Sequence, residues 1–468
     1  MDYFDEHNDE QIKSLVGKFD KMLVKGDYYF FDVEEFEMII DHYLVNNLLE
    51  KSSVAITYAE EQHPGNAVFM LKKAQYLVSS NNVNKALEIL SQLESMEPEN
   101  PEVFMTKASI YSQLKRYEKA IEEYTKALKE TVDLEEVYTN IAFEYENLGN
   151  YDKAIDYLKK VLDFNADNEA VIYELSFCYE ISNKTKQSIE YFTGFLDLNP
   201  YSKPAWFNLG IAYNNNEEYE NAIKAYDYAI AIDESFASAY FNKANSYANL
   251  ELFEKAIEEY EETFKFEAPE AMTYFYIGEC YEKLHKYELA KSHYRKALEL
   301  DHLLADAWLG IGVIYEEMEK FKVAINHIKR AIDIEPLNPE FWYMLGEVQY
   351  RAQLFDDARV SYKEVTKLDP QNPDIWLDYS HLFALDGDYI NALEYINIGI
   401  EEQPDNADLV YRKFDYLLKN KQYKEAYSIL EEALVMDYDN HNQIFEYDEK
   451  LQNDPNLLRI ISLYKRES

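Results

Sequence analysis

Residues 203–236 open Lys203-Pro204-Ala205-Trp206-Phe207-Asn208-Leu209-Gly210-Ile211-Ala212-Tyr213 and continue through Asn221-Ala222-Ile223, Tyr226 and Ala229. Trp206, Leu209, Gly210 and Tyr213 fall at the 3–4 spacing that puts side chains on one side of a helix, and Ala222, Tyr226 and Ala229 do the same on a second. The stretch between them reads as a turn. The pattern recurs in steps of 34 residues: from Ala222 the step lands on Ser52, Ala86, Ala120, Ala154, Ser188, Ala256, Ala290, Ala324, Ala358, Ala392 and Ala426. From Trp206 it meets every tryptophan in the chain (Trp206, Trp308, Trp342 and Trp376), and otherwise aromatic or aliphatic residues from Phe36 to Val410. No insertion breaks the register from residue 33 to residue 440.

Proline gives an independent check, because a helix interior loses a backbone donor and clashes at Pro. Pro64, Pro98, Pro101, Pro200, Pro204, Pro269, Pro336, Pro339, Pro370, Pro373 and Pro404 all fall at the joints of this register, and Pro455 alone lies beyond it. Gly149 and Gly387 fall in the turn inside their units, where a left-handed backbone is easiest for Gly.

The ordered set of an aromatic, Leu-Gly, Tyr, Ala, an aromatic and Ala resembles the tetratricopeptide repeat, a 34-residue helix–turn–helix unit. The resemblance implies an all-α protein, a right-handed superhelical solenoid of stacked antiparallel helix pairs with helical caps at both ends. Its repeats are read as 33–66, 67–100, 101–134, 135–168, 169–202, 203–236, 237–270, 271–304, 305–338, 339–372, 373–406 and 407–440. In a solenoid, length counts repeats, so 468 residues are read as one array. Residues 1–32 are expected to cap one end, with a helix over 9–25 and the run Tyr28-Tyr29-Phe30-Phe31 folded onto the first repeat. Residues 441–468 are expected to cap the other, with helices over 441–453 and 455–466 whose Ile444, Leu451, Leu457, Leu458, Ile461 and Leu463 cover the last apolar face. Lys465 and Arg466 suit a helix C-terminus.

With 89 acidic against 46 basic residues the formal net charge is −43. Such a surface repels phosphate backbones and anionic lipid, which disfavours nucleic acid and membrane surfaces as partners. The N-terminus is acidic where a signal peptide is basic, and no apolar run reaches the length of a membrane span, so a cytoplasmic location is expected. Cys178 and Cys280 match in repeat position three repeats apart, too far for a disulfide, and read as small core residues.

The residue after each aromatic anchor points about 100° away from it and is expected to leave the packed seam. That place holds Tyr173, Phe207, Phe241, Phe275 and Tyr343 among others, and in the repeat family this side of the first helix lines a concave groove. Asn140, Asn208 and Asn242 follow directly, with Asn245 one turn beyond Phe241; an amide offers a donor and an acceptor to a peptide backbone. Glu136, Glu146, Glu174 and Glu180 on one side, and Glu279, Glu282, Asp306, Glu316, Glu317, Glu340, Glu347, Asp374 and Asp378 on the other, make the flanks of the groove acidic.

The resemblance therefore implies a non-enzymatic scaffold that binds peptide or protein segments with basic and aromatic residues, in the assembly of a larger complex. The alternative is an adaptor or regulatory subunit of an enzyme or secretion machine that docks by its convex or end surfaces; self-association through the ends is also open. The carboxylate clamp of co-chaperone repeats is missing: where Asn242 would be its middle Asn, the cationic places hold Phe207, Met272 and Tyr276. No catalytic constellation, metal site or cofactor loop is expected, since phosphate-loop, nucleophile-elbow and zinc-protease motifs are lacking.

Overall fold

Helix boundaries in this computed structural model, which describes residues 2–129 and 133–465, follow the 34-residue step. First helices of the repeats begin at Val33, Ala67, Pro101, Leu134, Glu169, Lys203, Ala237, Ala271, Ala305, Pro339, Pro373 and Ala407. Second helices begin at Leu49, Val83, Tyr117, Tyr151, Thr185, Tyr219, Phe253, Tyr287, Phe321, Phe355, Tyr389 and Tyr423. Asparagines stop and start them: Asn66, Asn100, Asn338 and Asn406 each accept a backbone N–H from the first turn that follows.

The turn inside each repeat places one residue in the left-handed region, at Asn47, Asn81, Lys115, Gly149, Asn183, Glu217, Glu251, His285, Glu319, Gln353, Gly387 and Lys421. There the chain closes a Schellman pair; Glu217 N–H donates to Asn214 O at 3.0 Å and Glu218 N–H to Tyr213 O at 2.9 Å. A residue with a Cβ pays for this conformation. Glu217, at φ 61°, lacks glycine's freedom, so Glu217→Gly is expected to stabilise the protein by about 1 kcal/mol. A lower urea midpoint for the variant would contradict this.

Helices pack on their sequence neighbours, as Lys203–Asn215 does on Tyr219–Ile232, and at several places on the helix after that, as Glu169–Ile181 does on Lys203–Asn215 and Pro373–Leu385 on Ala407–Lys419. The fold is an all-α repeat solenoid, with no strand among the described residues. Small residues set the close helix crossing: Ala86, Ala120, Ala154, Ala222, Ala256 and Ala290 are all fully buried. The contacts group the chain into two compact units, Met1–Ala239 and Tyr240–Ser468.

In the second unit, buried Tyr294 shows how a repeat closes. A Cβ added at Gly278 would stand 2.6 Å from Tyr294 Cδ1, and one at Gly310 would stand 2.6 Å from its Cζ. The ring lies between two backbones that approach only because both positions lack a side chain. Its hydroxyl passes through to donate to Glu282 at 2.7 Å.

The ends differ from expectation. The N-terminal helix runs Asp2–Lys25, and of the aromatic run only Phe31 is fully buried, edge-on to Phe19 with ring centroids 5.8 Å apart. Gln62 accepts its N–H at 3.1 Å and the His63 ring bonds its carbonyl at 2.8 Å, which pins that one residue. Tyr28 and Phe30 stay exposed. At the other end the stretch 441–453, expected to be helical, is broken into Asp439–Asn442, Gln443–Tyr447 and Glu449–Asn453, and Asp448 and Asp454 turn their carboxylates onto backbone N–H groups to restart the chain after Tyr447 and Asn453. Ile444, Leu457 and Ile461 are buried as expected, whereas Leu458 and Leu463 are exposed. Arg466 lies outside the described residues.

Candidate functional site

The wall made by the first helices of the repeats was expected to carry a row of presented aromatics, and the structure divides them. In the unit Met1–Ala239, Tyr173 is exposed, but Phe207 is only 8% exposed, with Phe236 at 4.9 Å and Tyr226 at 5.9 Å between ring centroids. The difference lies in the residue that precedes the next repeat: Phe236 folds over Phe207, whereas Ser202 at the matching place leaves Tyr173 open. Asn208 is buried too, and its amide donates to Pro204 O at 2.8 Å. Phe207 and Asn208 thus serve the core, contrary to the expected presentation. Asn140 is half-buried and lines a cavity of the same wall.

In the unit Tyr240–Ser468, Phe275 is only 9% exposed and packs on Tyr294, so it also departs from the expected orientation. Phe241 is half-buried against Tyr260 and Tyr276, and Asn242 is half-buried. Asn245 Oδ1 accepts the Tyr260 hydroxyl at 2.5 Å, which occupies its acceptor. Tyr343 is half-buried and donates to Asp378 at 2.8 Å.

Of one exposed stripe the sequence reading found only Tyr173. On helix Glu169–Ile181, Tyr173, Phe177 and Ile181 recur every four residues and are all exposed, Phe177 by 47%. Phe143, in the matching place of the preceding repeat, is 56% exposed. Phe143 and Phe177 stand 34 residues apart, one turn beyond the inspected ladder; stepping from that second place would have found them.

Acidic groups border the stripe. Glu146, Glu174 and buried Cys178 bring a ligand atom each within 4.8 Å of one another, the group among the described residues with a donor set that could hold a divalent cation. The Cys178 thiol donates to Glu146 Oε1 at 3.6 Å. Burial, and then the hydrogen-bonded Glu174 carboxyl, push Glu146 up to about 7. The thiol itself is pushed far up, by burial first, and is inert as a nucleophile.

The second unit's wall is a row of carboxylates with few cations. Burial, joined by Glu282, pushes Glu279 up to about 7, and burial raises Asp378 to about 6 against the lowering bond from Tyr343. Glu282, Asp306 and Glu316 are raised as well, each by burial first. Arg351 donates to Glu316 at 2.9 Å and offsets part of that charge. Carboxylates held in this way favour a ligand that brings positive charge.

Family models described as tetratricopeptide repeat match residues 77–139, 135–168, 204–236, 237–265, 269–335, 309–373 and 343–407. The chain belongs to the tetratricopeptide repeat family. Tetratricopeptide repeats are protein–protein interaction scaffolds, whose stacked units create extended binding surfaces. Among solved structures, this tetratricopeptide repeat chain is similar to the C-terminal part of a repeat protein from Cytophaga hutchinsonii, at 19% identity over 54% of this chain and 98% of that one, with a TM-score of 0.44. It is also similar to the Cut9–Hcn1 hetero-tetramer of the APC/C, at 14% identity over 88% of this chain and 95% of that one, with a TM-score of 0.41. A third is YrrB, described as a protein with an unusual peptide-binding site, at 20% identity over 39% of this chain and 95% of that one, with a TM-score of 0.32. No curated protein matches the chain. No helix among the described residues is long and apolar enough to cross a membrane.

Proposed function

We propose that this tetratricopeptide repeat protein is a scaffold that holds a segment of a partner protein on the first-helix wall of the unit Met1–Ala239. The reading is carried by the exposed stripe Tyr173, Phe177 and Ile181 with Phe143, large apolar side chains that a soluble surface otherwise avoids placing in a row. The partner segment brings apolar or aromatic side chains to this stripe. Its basic side chains meet Glu146, Glu174 and Glu180, which steer association and select against acidic competitors. Binding serves to assemble a larger complex, and the chain performs no chemistry of its own.

The test is a display selection of random twelve-residue peptides on the full-length protein, followed by affinity measurement by fluorescence anisotropy. Tyr173→Ala combined with Phe177→Ala is expected to weaken the selected peptides by about 30-fold, as loss of aromatic anchors does. The circular dichroism should stay that of the parent, because both side chains reach the surface and neither is among the fully buried residues. Unchanged affinity would sink the proposal.

The second reading, docking by an end surface, is favoured by exposed Tyr28 and Phe30 beside the anchored Phe31. On this reading Tyr28→Ser with Phe30→Ser abolishes partner binding while the Tyr173 and Phe177 variant retains it.

A further inference from the structure

In the unit Met1–Ala239 a cavity of about 450 Å³ opens among the first helices of three successive repeats, lined by Gln75, Ser109, Gln113, Tyr124, Glu136 and Asn140 among others. A short side chain creates the space. Ser109 stands where later repeats carry Asn245 and Glu347, which accept the hydroxyls of Tyr260 and Tyr362. Tyr124 is the matching tyrosine in its own repeat, and with Ser109 opposite it no acceptor among the described residues takes its hydroxyl. Burial, then the nearby Glu144 and Glu136 charges, push that hydroxyl up to about 12.

Glu144 supplies the second observation. It is 1% exposed, burial raises its carboxyl against a lowering bond from Ser112, its Oε2 has no hydrogen-bond partner among the described residues, and Tyr124 lies in its field, so a buried carboxyl with one oxygen to spare stands behind the cavity wall. Glu136 is the one charged residue of the lining. A cavity with a carboxylate at its rim, a buried carboxyl with one free oxygen behind it and amides between them would be completed by a cation with several N–H donors.

We propose that this cavity takes a lysine or arginine side chain of a bound protein segment, its charged head set between Glu136 and the Tyr124 hydroxyl in front of Glu144. The proposal rests on the wall reading above and extends it to a sequence preference. Asn140 in the cavity and Phe143 on the stripe lie three residues apart on one helix. The cavity and the first anchor are therefore close together, and the basic residue should stand at a constant short spacing from the apolar residue that meets Phe143.

The test uses the selected peptides on full-length protein. Neutralising the basic residue at that spacing, as acetyl-lysine or citrulline, is expected to weaken binding to the parent by about tenfold and to Glu136→Gln/Glu144→Gln by less than about twofold. Ser109→Phe, which fills the cavity and leaves the buried carboxylate in place, should reproduce the loss. Equal losses on parent and variant would overturn the proposal. So would peptides that depend on Tyr173 and Phe177 yet carry no basic residue at a constant spacing, an outcome that leaves the wall reading standing; peptides indifferent to Tyr173 and Phe177 sink both. Spermidine, titrated calorimetrically, separates a free polyamine from a peptide side chain: binding tighter than that of the peptide, and lost in the Gln variant, would make the polyamine the occupant and refute assignment to a protein segment.

Discussion

Gly278→Ala is expected to destabilise the protein by about 3 kcal/mol, even though Ala is the better helix former by about 1 kcal/mol. The added Cβ would stand 2.6 Å from Tyr294 Cδ1, well inside van der Waals contact. A ring can normally yield by tilting, but this one is held on its far face by Gly310, and its hydroxyl is tied to Glu282 at 2.7 Å. The helices must therefore part, and the seam they form loses packing along its length. Urea denaturation checks the value, and Gly278→Ala in a Tyr294→Leu background should cost less, since the smaller side chain leaves room for the methyl. If Gly278→Ala proved neutral in the parent, the account of how this repeat closes would be wrong. Such a loss in one repeat spreads through its neighbours, because a solenoid gains its stability from interfaces between adjacent units.

The second large effect is a stability that falls as pH rises. Glu279 is held near pKa 7 in the folded protein, by burial first and then by Glu282, against 4.5 as the ordinary value. The folded state therefore binds this proton more tightly than the unfolded chain does. The burden is absent below about pH 4.5, accumulates between about 4.5 and 7, and is constant above. Some solvent reaches the side chain, so the full shift is discounted, and about 2 kcal/mol is expected. Glu279→Gln should thus be more stable than the parent by about 2 kcal/mol at pH 8 and indistinguishable from it near pH 4.5. The difference between the two proteins is the quantity to follow, since Asp378, raised to about 6, acts in the same direction in both. A parent-to-variant difference that does not change with pH would refute the assignment of the shift to Glu279. The same property bears on binding in the unit Met1–Ala239: Glu146, raised to about 7 by burial first, gives up its proton when a cation arrives, so affinity for basic segments should rise from pH 5.5 to pH 8.

Much of the fold was legible in the residues. The step that carries Ala86 to Ala120, Ala154 and Ala222 located the helix crossings, and the same step located the left-handed turn at Gly149 and Gly387. These features are legible because they are local: a crossing needs a small side chain, and a turn needs a particular backbone angle. The candidate site was legible only in part. Tyr173 and Asn140 lie on an open wall, whereas Phe207, Asn208 and Phe275 went into the core, and Phe143 and Phe177 were missed. A direction around one helix says where a side chain sets out. It does not say what meets it there.

The recurring pattern by itself determined the helix pairs, their turns and the membership of a repeat family, since periodicity and backbone chemistry act within a few residues. Tertiary structure alone decided which positions stay open: Phe236 covers Phe207 while Ser202 spares Tyr173, and Ser109 leaves a cavity where Asn245 elsewhere engages a tyrosine. Exposure belongs to a side chain together with its neighbours in space, and those neighbours come from other repeats.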